Sequence, residues 1–291
     1  MRFRGIYAPL TTPFNHLGQI YWSKFDYNLA QLRRTKLSGV VATDKWGEGQ
    51  LLSRKERATL WKRAAKGAGD DAQVIAAIPG CGVPVAREEV AAAAACGCSA
   101  AVIEAPDTHA LAPGAHTADL FFRAVADAAD LPLLASVRMS GPSGWSAERL
   151  ERIAAHPRIA GAVVEDAPAE AIEDLGSACG RGFAILVRDL SAAAPCLALG
   201  SGAALLSLAA AVPFFALSIE EAVRTREHAA AQSLAARATY LERVLAAHGV
   251  PALKHALDLR SYYGGRPRLP LLAASPGIAE AVSLALYELA S

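Results

Sequence analysis

Apolar residues along this chain are concentrated in eight short runs of five to seven residues. Within these runs, polar and apolar residues do not alternate strictly, as they would in a strand with one face in water. The pattern therefore predicts strands that are buried on both faces. The predicted strands are residues 5–10, 39–43, 73–78, 100–105, 131–137, 159–164, 183–187 and 203–209.

Segments with helical periodicity separate most of these strands, and hydroxyl side chains stand where helix N-caps are needed, at Ser23, Ser53, Thr117 and Ser146. Eight buried strands alternating with helices are typical of an α/β protein with the (β/α)8 TIM barrel fold. A doubly wound sheet is the competing interpretation, but the glycine-rich nucleotide turn that usually accompanies it is absent from the sequence. The predicted helices are residues 23–35, 53–68, 86–97, 117–129 and 146–156.

The last quarter of the chain has only helical patterns. We therefore predict a barrel over residues 1–222 and a C-terminal helical domain over 223–291. The most apolar segment, 196–217, is interrupted by Gly200, Gly202 and Pro213, so we interpret it as buried core and not as a membrane span.

Composition narrows the functional class. The hydrophobic fraction of 53% argues against disorder, and a net charge of +1 without a basic tract argues against nucleic-acid binding. Five irregularly spaced cysteines favour reduced thiols and a cytoplasmic location. We expect no bound metal, because His109 and His116 lack a third ligand at a suitable spacing. We also expect no cofactor.

In a (β/α)8 barrel, catalytic and binding groups come from the C-terminal ends of the strands and the loops after them. Polar and aromatic residues follow most of the predicted strands at this edge. The candidates are Thr11 and Thr12 after strand 1, Lys45 and Trp46 after strand 2, Asp107 after strand 4, Ser136 and Arg138 at the end of strand 5, Glu165 and Asp166 at strand 6, and Arg188 and Asp189 at strand 7.

Four stretches carry a resemblance to a known family. They are GIYAPLTTPF, VVATDKWGEGQLLSRKERATL, SLAAAVP and VPALKHALDLRSYYGGRPRLPLL. With them the chain resembles the dihydrodipicolinate synthase / N-acetylneuraminate lyase family over essentially its whole length. The resemblance implies a barrel with a helical appendage, assembly as a homodimer or homotetramer, and pyruvate chemistry through a Schiff base on a strand-6 lysine. It also implies structural roles for Glu48 and Lys254, and a largely local hydrogen-bonding role for Thr11 and Thr12.

The resemblance fails at the residues that carry the chemistry. Val163 stands where the family has its Schiff-base lysine, and Ser136 stands where it has a proton-transferring tyrosine. The family's hydroxyl pair after strand 2 becomes Lys45-Trp46, and its tyrosine pair after strand 4 becomes Asp107-Thr108. Since valine has no amine, it cannot form an imine. The sequence therefore predicts that the standard aldolase chemistry is lost, which makes the chain a pseudoenzyme candidate.

Three interpretations of the charged strand ends stay open. The charges pair and close the mouth, with an Arg188–Glu165 bridge as the expected contact. Alternatively, Arg138 or Arg188 binds a small carboxylate, with Asp107 or Glu165 as an acid or base. In the third, the imine has moved to Lys45, where a neighbouring cation and partial burial would favour a nucleophilic amine.

These interpretations lead to two functional hypotheses. The first is a family member without Schiff-base catalysis that retains small-carboxylate binding. The alternative is a divergent lyase, aldolase or hydratase that acts on a 2-keto acid through Lys45, Arg138 and Arg188. The expected partners are a small carboxylate or 2-keto acid and further copies of the chain, with no nucleic acid and no membrane.

Overall fold

The computed structural model of the chain describes residues 3–69, 71–107, 117–141, 144–180, 182–200 and 202–290. Eight parallel strands pair in chain order, and the last pairs with the first to close a barrel. This confirms the predicted (β/α)8 fold. The strands are β1 Gly5–Leu10, β2 Gly39–Ala42, β3 Gln73–Ile78, β4 Ala100–Glu104, β5 Leu133–Arg138, β6 Ile159–Glu165, β7 Ala184–Val187 and β8 Gly202–Leu205.

Helices surround the barrel and extend it at the C-terminus. They are α1 Trp22–Arg33, α2 Arg54–Gly67, α3 Val83–Ala95, α4 Thr117–Ala126, α5 Ala147–Ala154, α6 Ile172–Cys179, α7 Leu190–Ala198, α8 Pro213–Arg224, α9 His228–Leu259 and α10 Pro276–Ala290. None of the described helices is both long and apolar enough to cross a membrane.

Both faces of the strands are apolar because each face packs in a different core. On β6, Val163 belongs to a cluster inside the barrel, whereas Ala162 and Val164 belong to the larger cluster between the strands and the helices. This accounts for the absence of polar and apolar alternation in the sequence. Segment 196–217 contributes to the same buried layers, as predicted, with Cys196 and Leu206 fully buried.

The N-cap predictions are confirmed at two sites and wrong at one. Ser53 forms a capping box with Glu56 at the start of α2, and Ser146 accepts a hydrogen bond from the Arg149 amide at the start of α5. Ser23 does not cap α1, which begins at Trp22. The aromatic residue packs against the core, so the helix extends one residue further than its polar pattern indicated.

The predicted eighth strand is too long. Strand β8 ends at Leu205, and Ser207–Ala210 form a 3-10 turn that brings the chain back over the barrel. Every residue of this turn is buried. Since a buried turn and a buried strand have the same apolar composition, periodicity does not distinguish them.

Helix α9 bends at Gly249, which has φ 63° and ψ −144°, a conformation open to glycine. Pro251 follows and reinforces the break. The bend separates Glu242, on the first part of the helix, from Lys254 on the second. Helix α8 ends at Arg224 and α9 begins at His228, and the division of the chain into domains at 222/223 stays a prediction.

Candidate active site at the barrel mouth

The strand-6 position predicted to have lost its lysine lies inside the barrel. Val163 pairs with Ser136 on β5 and with Leu186 on β7, so all three share one level of the sheet. The Val163 side chain is only 1% exposed and packs with the interior cluster. A saturated hydrocarbon therefore occupies this level of β6, and its packing leaves no space for solvent around it.

The turn after β2 is held by a buried carboxylate. Asp44 accepts hydrogen bonds from the amides of Trp46 and Gly47 at 3.0 and 3.1 Å and thereby caps the short turn Lys45–Gly47. Arg188, at the end of β7, donates from Nη1 to Asp44 Oδ2 at 3.2 Å. Burial raises the pKa of Asp44, and the Arg188 cation opposes that shift.

This pair corrects the expected Arg188–Glu165 bridge. Arg188 reaches across the barrel to Asp44, whose side chain is fully buried. A buried carboxylate without a counter-ion is far more expensive than a partly exposed one. Glu165, in turn, is already occupied by two other cations, Lys45 and Arg138.

Glu165 and Asp166 form the centre of an ion-pair network at the end of β6. Lys45 Nζ contacts Glu165 Oε1, and Arg138 bridges Glu165 Oε2 at 2.7 Å and Asp166 Oδ2 at 2.9 Å. Ser140 Oγ donates to Asp166 at 2.7 Å. Burial alone would raise the pKa of Glu165, but the neighbouring cations hold it below its ordinary value.

Two residues at these strand ends adopt backbone conformations that are rare outside glycine. Thr43 has φ 67° directly after β2, and Asp166 has φ 58° directly after β6. The Thr43 hydroxyl donates to the Ala77 carbonyl at 2.7 Å and accepts from Trp61 Nε1 at 2.8 Å, which holds the strained residue in place. Conformations of this kind cluster at functional sites.

Three further carboxyl groups near the mouth have no cation within ion-pair distance in the described part of the chain. They are Glu104 at the end of β4, Asp189 at the start of α7 and Glu242 on α9. Burial raises the pKa of each, and that of Glu242 rises to about 7. The amides of Asp166 and Ala167 donate to Asp189, and Ser207 Oγ donates to Glu242 Oε2 at 3.1 Å.

The ion-pair network of Glu165 and Asp166, together with Arg188, Asp189 and Glu242, borders an open cavity of about 390 Å³. The mouth is therefore charged but not closed, although salt bridges line part of it. Trp46 forms one wall and is itself buried. The complete lining is Lys45, Trp46, Arg138, Glu165, Asp166, Arg188, Asp189, Leu205, Ser207, Glu242, Ala246, Gly249 and Val250.

Seven of the eleven candidate site residues line this cavity: Lys45, Trp46, Arg138, Glu165, Asp166, Arg188 and Asp189. Thr11, Thr12, Asp107 and Ser136 are not part of its lining. Ser136 lies one level deeper in the barrel, beside Val163, and Asp107 is exposed beyond the end of β4. Thr108, His109 and His116 lie outside the described residues.

Thr12 has a structural contact instead. Its hydroxyl donates to the Gly47 carbonyl at 2.6 Å and ties β1 to the turn after β2. Its carbonyl accepts from Lys254 Nζ at 2.8 Å. Lys254 also forms a 2.5 Å ion pair with Glu48, and both side chains are almost completely buried.

Arg268 extends this contact to α2. Its amide donates to Glu48 Oε2 at 2.7 Å, and its guanidinium donates to Glu56 and to the carbonyls of Gly18 and Leu51. Hydrogen bonds from Arg268 lower the pKa of Glu56 to about 2. We call Glu48, Glu56, Lys254 and Arg268 the clamp, because they join the C-terminal segment to the barrel.

Sequence reasoning missed Glu104, Ser207 and Glu242. The predicted fourth strand runs to Ala105 and so places Glu104 in its interior, whereas Glu104 ends β4 beside Ser136. The predicted eighth strand includes Ser207, which begins the turn after β8. Glu242 lies on a helix remote from every strand end, and no local pattern indicates that it faces the barrel. No group of His, Cys, Asp or Glu among the described residues has the arrangement of a metal site.

Comparison with known proteins gives one family over the whole chain. A model of the dihydrodipicolinate synthetase family matches residues 2–288. A 4-hydroxy-tetrahydrodipicolinate synthase from Synechococcus elongatus is 28% identical over 295 aligned positions, which cover 99% of this chain and 96% of the relative. A protein of Emericella nidulans named a probable mitochondrial 4-hydroxy-2-oxoglutarate aldolase is also 28% identical, covering 98% of this chain and 94% of the relative.

A solved structure gives the same fold. Dihydrodipicolinate synthase from Oceanobacillus iheyensis superposes with a TM-score of 0.87 at 19% identity, covering 98% of this chain and 96% of that one. The two sequence relatives carry the names of different reactions. Similarity to them therefore does not assign either reaction to this chain.

Proposed function

This chain belongs to the dihydrodipicolinate synthetase family, and from that premise we propose that it binds a small carboxylate, of the 2-keto acid class, without forming a Schiff base on β6. The observation that supports this proposal most strongly is that Val163 fills the barrel interior at the strand-6 position. A covalent imine requires an amine at the reacting position, and valine supplies none.

The other lysines near the barrel do not replace it. Lys254 is buried in the clamp, where Glu48 and the carbonyls of Thr12 and Arg266 occupy its ammonium group. Lys45 borders the cavity, but its Nζ is in contact with Glu165. Nucleophilic attack needs a neutral, unengaged amine, and neither lysine presents one in this arrangement.

The cavity favours a small acidic ligand. Its volume of about 390 Å³ lies toward the small end of the range for ligand pockets. Arg138 stands at the rim with its side chain 57% exposed, so its guanidinium can turn from Glu165 and Asp166 toward a ligand. A guanidinium binds a carboxylate through two parallel hydrogen bonds, which orients the ligand as well as attracting it.

Calorimetric titration with pyruvate tests this binding. We expect saturable binding by the unaltered protein, and at least about tenfold weaker binding by Arg138→Met, because a hydrogen bond to a charged group contributes about 1.5–3 kcal/mol. Arg123→Met, an exposed arginine on α4, is the matched control and should bind normally. Absence of binding, or equal affinity in the Arg138 variant, would contradict the proposal.

A divergent lyase is the second candidate, and Lys45 is the observation that favours it, because it is the lysine among the cavity-lining residues. In this case a ligand would displace Glu165 from Nζ, and Arg138 and Arg188 would hold the substrate. Cleavage of a 4-hydroxy-2-keto acid tests it. Activity that disappears in Lys45→Met would support this reaction, whereas no turnover would leave binding as the function.

We further propose assembly as a homodimer or homotetramer. Large apolar side chains stand on the surface, including Phe214 at 69%, Leu269 at 76% and Leu272 at 73% exposure. Exposed apolar side chains that lie together in one patch favour contact with another protein surface. Light scattering coupled to size-exclusion chromatography tests the assembly, and a mass equal to the 30.3 kDa chain at micromolar concentration would contradict it.

A further inference from the structure

Glu242 differs from the other carboxyl groups that line the mouth cavity. It comes from α9, outside the barrel proper, and its side chain enters the cavity wall beside the turn after β8. Ser207 Oγ is its hydrogen-bond donor, at 3.1 Å. Among the described residues, no Lys, Arg or His side chain lies within ion-pair distance of it.

The neighbouring carboxylates are engaged in other ways. Lys45 and Arg138 neutralise Glu165, and Arg138 also holds Asp166. Backbone amides after β6 donate to Asp189. Glu242 is thus a carboxyl group of the cavity that is positioned by a neutral hydroxyl, without a cation to fix its charge.

We propose that Glu242 is the proton acceptor of this cavity, and that it removes a proton from the carbon next to the carbonyl group of a bound 2-keto acid. This inference rests on the proposed function, because it requires that such a ligand binds at the mouth. It adds an activity, proton exchange through an enolate, that needs no imine.

The step balances without any further reactant. The C–H bond breaks, its proton passes to the Glu242 carboxylate, and its electron pair forms the C=C bond of the enolate while the carbonyl π electrons move to oxygen. Lys45, which borders the same cavity, supplies positive charge near that oxygen. The Glu242 carboxyl group, which borders the open cavity, exchanges this proton with water, and return of a solvent-derived proton from Glu242 to carbon regenerates the 2-keto acid.

The surroundings of Glu242 suit a base that works near neutral pH. Its pKa is raised to about 7, chiefly by burial and also by the charge of Asp189, against the lowering effects of the Ser207 hydrogen bond and the Lys45 charge. The same cavity wall also carries Arg188 from the end of β7, Glu165 and Asp166 from β6, and Arg138 from β5. An acid–base group acts best when its pKa lies near the working pH.

Deuterium exchange into pyruvate measures the activity directly. The methyl signal in proton NMR is followed in heavy-water buffer with the full-length protein. We expect exchange above the uncatalysed rate, rising with pH through a midpoint near 7. In Glu242→Gln the rate should fall by at least about 100-fold, the lower end of what a positioned base contributes, while calorimetric affinity for pyruvate stays within about threefold.

Two further variants separate chemistry from folding. Glu280→Gln, an exposed carboxyl group on α10, is the matched control and should exchange at the normal rate. Ser207→Ala removes the hydrogen bond that lowers the Glu242 pKa, so its exchange midpoint should move to higher pH. A purely structural role of Ser207 would change the rate at every pH and leave the midpoint in place.

The outcomes distinguish this inference from the function on which it rests. Pyruvate binding without methyl exchange, or full exchange in Glu242→Gln, overturns the role of Glu242 and leaves carboxylate binding intact. Absence of pyruvate binding overturns both. If Glu242→Gln does not fold, the pH dependence of methyl exchange in the unaltered protein and in Ser207→Ala tests the role of Glu242. An exchange rate in the unaltered protein that has no midpoint near pH 7 overturns the proposal.

Discussion

The two parts of α9 lead to two charged regions with opposite electrostatic character. Beyond the bend at Gly249, Lys254 joins the clamp, where each charge meets an opposite charge or a carbonyl group. Before the bend, Glu242 enters the mouth cavity, where its carboxyl group has a hydroxyl donor and no ion-pair partner among the described residues. One helix therefore contributes to both regions.

The pKa shifts in the two regions have opposite directions. In the clamp, Arg268 lowers the pKa of Glu56 to about 2, so the ionised carboxylate stabilises the folded protein at neutral pH. In the mouth, burial raises the pKa of Glu242 to about 7, so its ionised carboxylate destabilises the folded protein at neutral pH. Unfavourable charges of this kind are typical of functional sites, where stability is given up for reactivity.

The largest expected effect is in the clamp. Lys254→Met leaves the buried carboxylate of Glu48 without its cation, and we expect the free energy of unfolding to fall by about 3–5 kcal/mol. Urea denaturation measures the loss. Lys55→Met, on the exposed surface of α2, is the control and should change stability by less than about 0.5 kcal/mol. A loss below about 1 kcal/mol in the Lys254 variant would show that the clamp is not a tightly coupled pair.

An effect of opposite sign is expected at the mouth. Because the folded pKa of Glu242 is about 7 and its ordinary value is 4.5, the stability of the unaltered protein should fall as pH rises between these values. Glu242→Gln removes that dependence. Relative to the unaltered protein, the variant should gain up to about 3 kcal/mol between pH 4.5 and pH 8.

Urea denaturation at several pH values measures this gain. Glu280→Gln again serves as the control, since its carboxyl group is exposed on α10. A stability difference between Glu242→Gln and the unaltered protein that does not change with pH would mean that Glu242 titrates normally. The contrast between the two regions would then disappear.

The smallest effect is expected at the partly exposed edge of the clamp. Glu56→Gln should reduce stability at neutral pH by about 1–2 kcal/mol, because the Arg268 hydrogen bonds become weaker. The folded pKa of Glu56 is about 2, below its ordinary value of 4.5, so this contribution is lost as pH falls between these values. Acid denaturation of the variant and the unaltered protein should therefore converge toward pH 2.

The fold was predictable because the strands are buried on both faces and stand out as apolar runs. Strands β1 and β3 match their predicted bounds at both ends. The error at β8 arose because Leu206 to Ala209 continue the apolar run through a buried turn. Composition indicates burial, and the point at which a buried chain turns depends on the tertiary contacts around it.

The site was predictable only where the strands supply it. Lys45, Arg138 and Arg188 follow from strand ends, which the fold gathers at one mouth. The partner of Arg188 did not follow, because the choice between Asp44 and Glu165 depends on which carboxylate is more deeply buried. Glu242 did not follow either, since it reaches the cavity from a helix far along the chain.

Borohydride reduction in the presence of pyruvate tests most directly whether the standard imine chemistry is lost. Intact-mass measurement and peptide mapping would follow, with an active member of the family as the positive control. We expect no reduced adduct on this chain, because Val163 has no amine and Glu165 engages the Lys45 ammonium. An adduct that maps to Lys45 would contradict this account, because the imine would then have moved from β6 to the turn after β2.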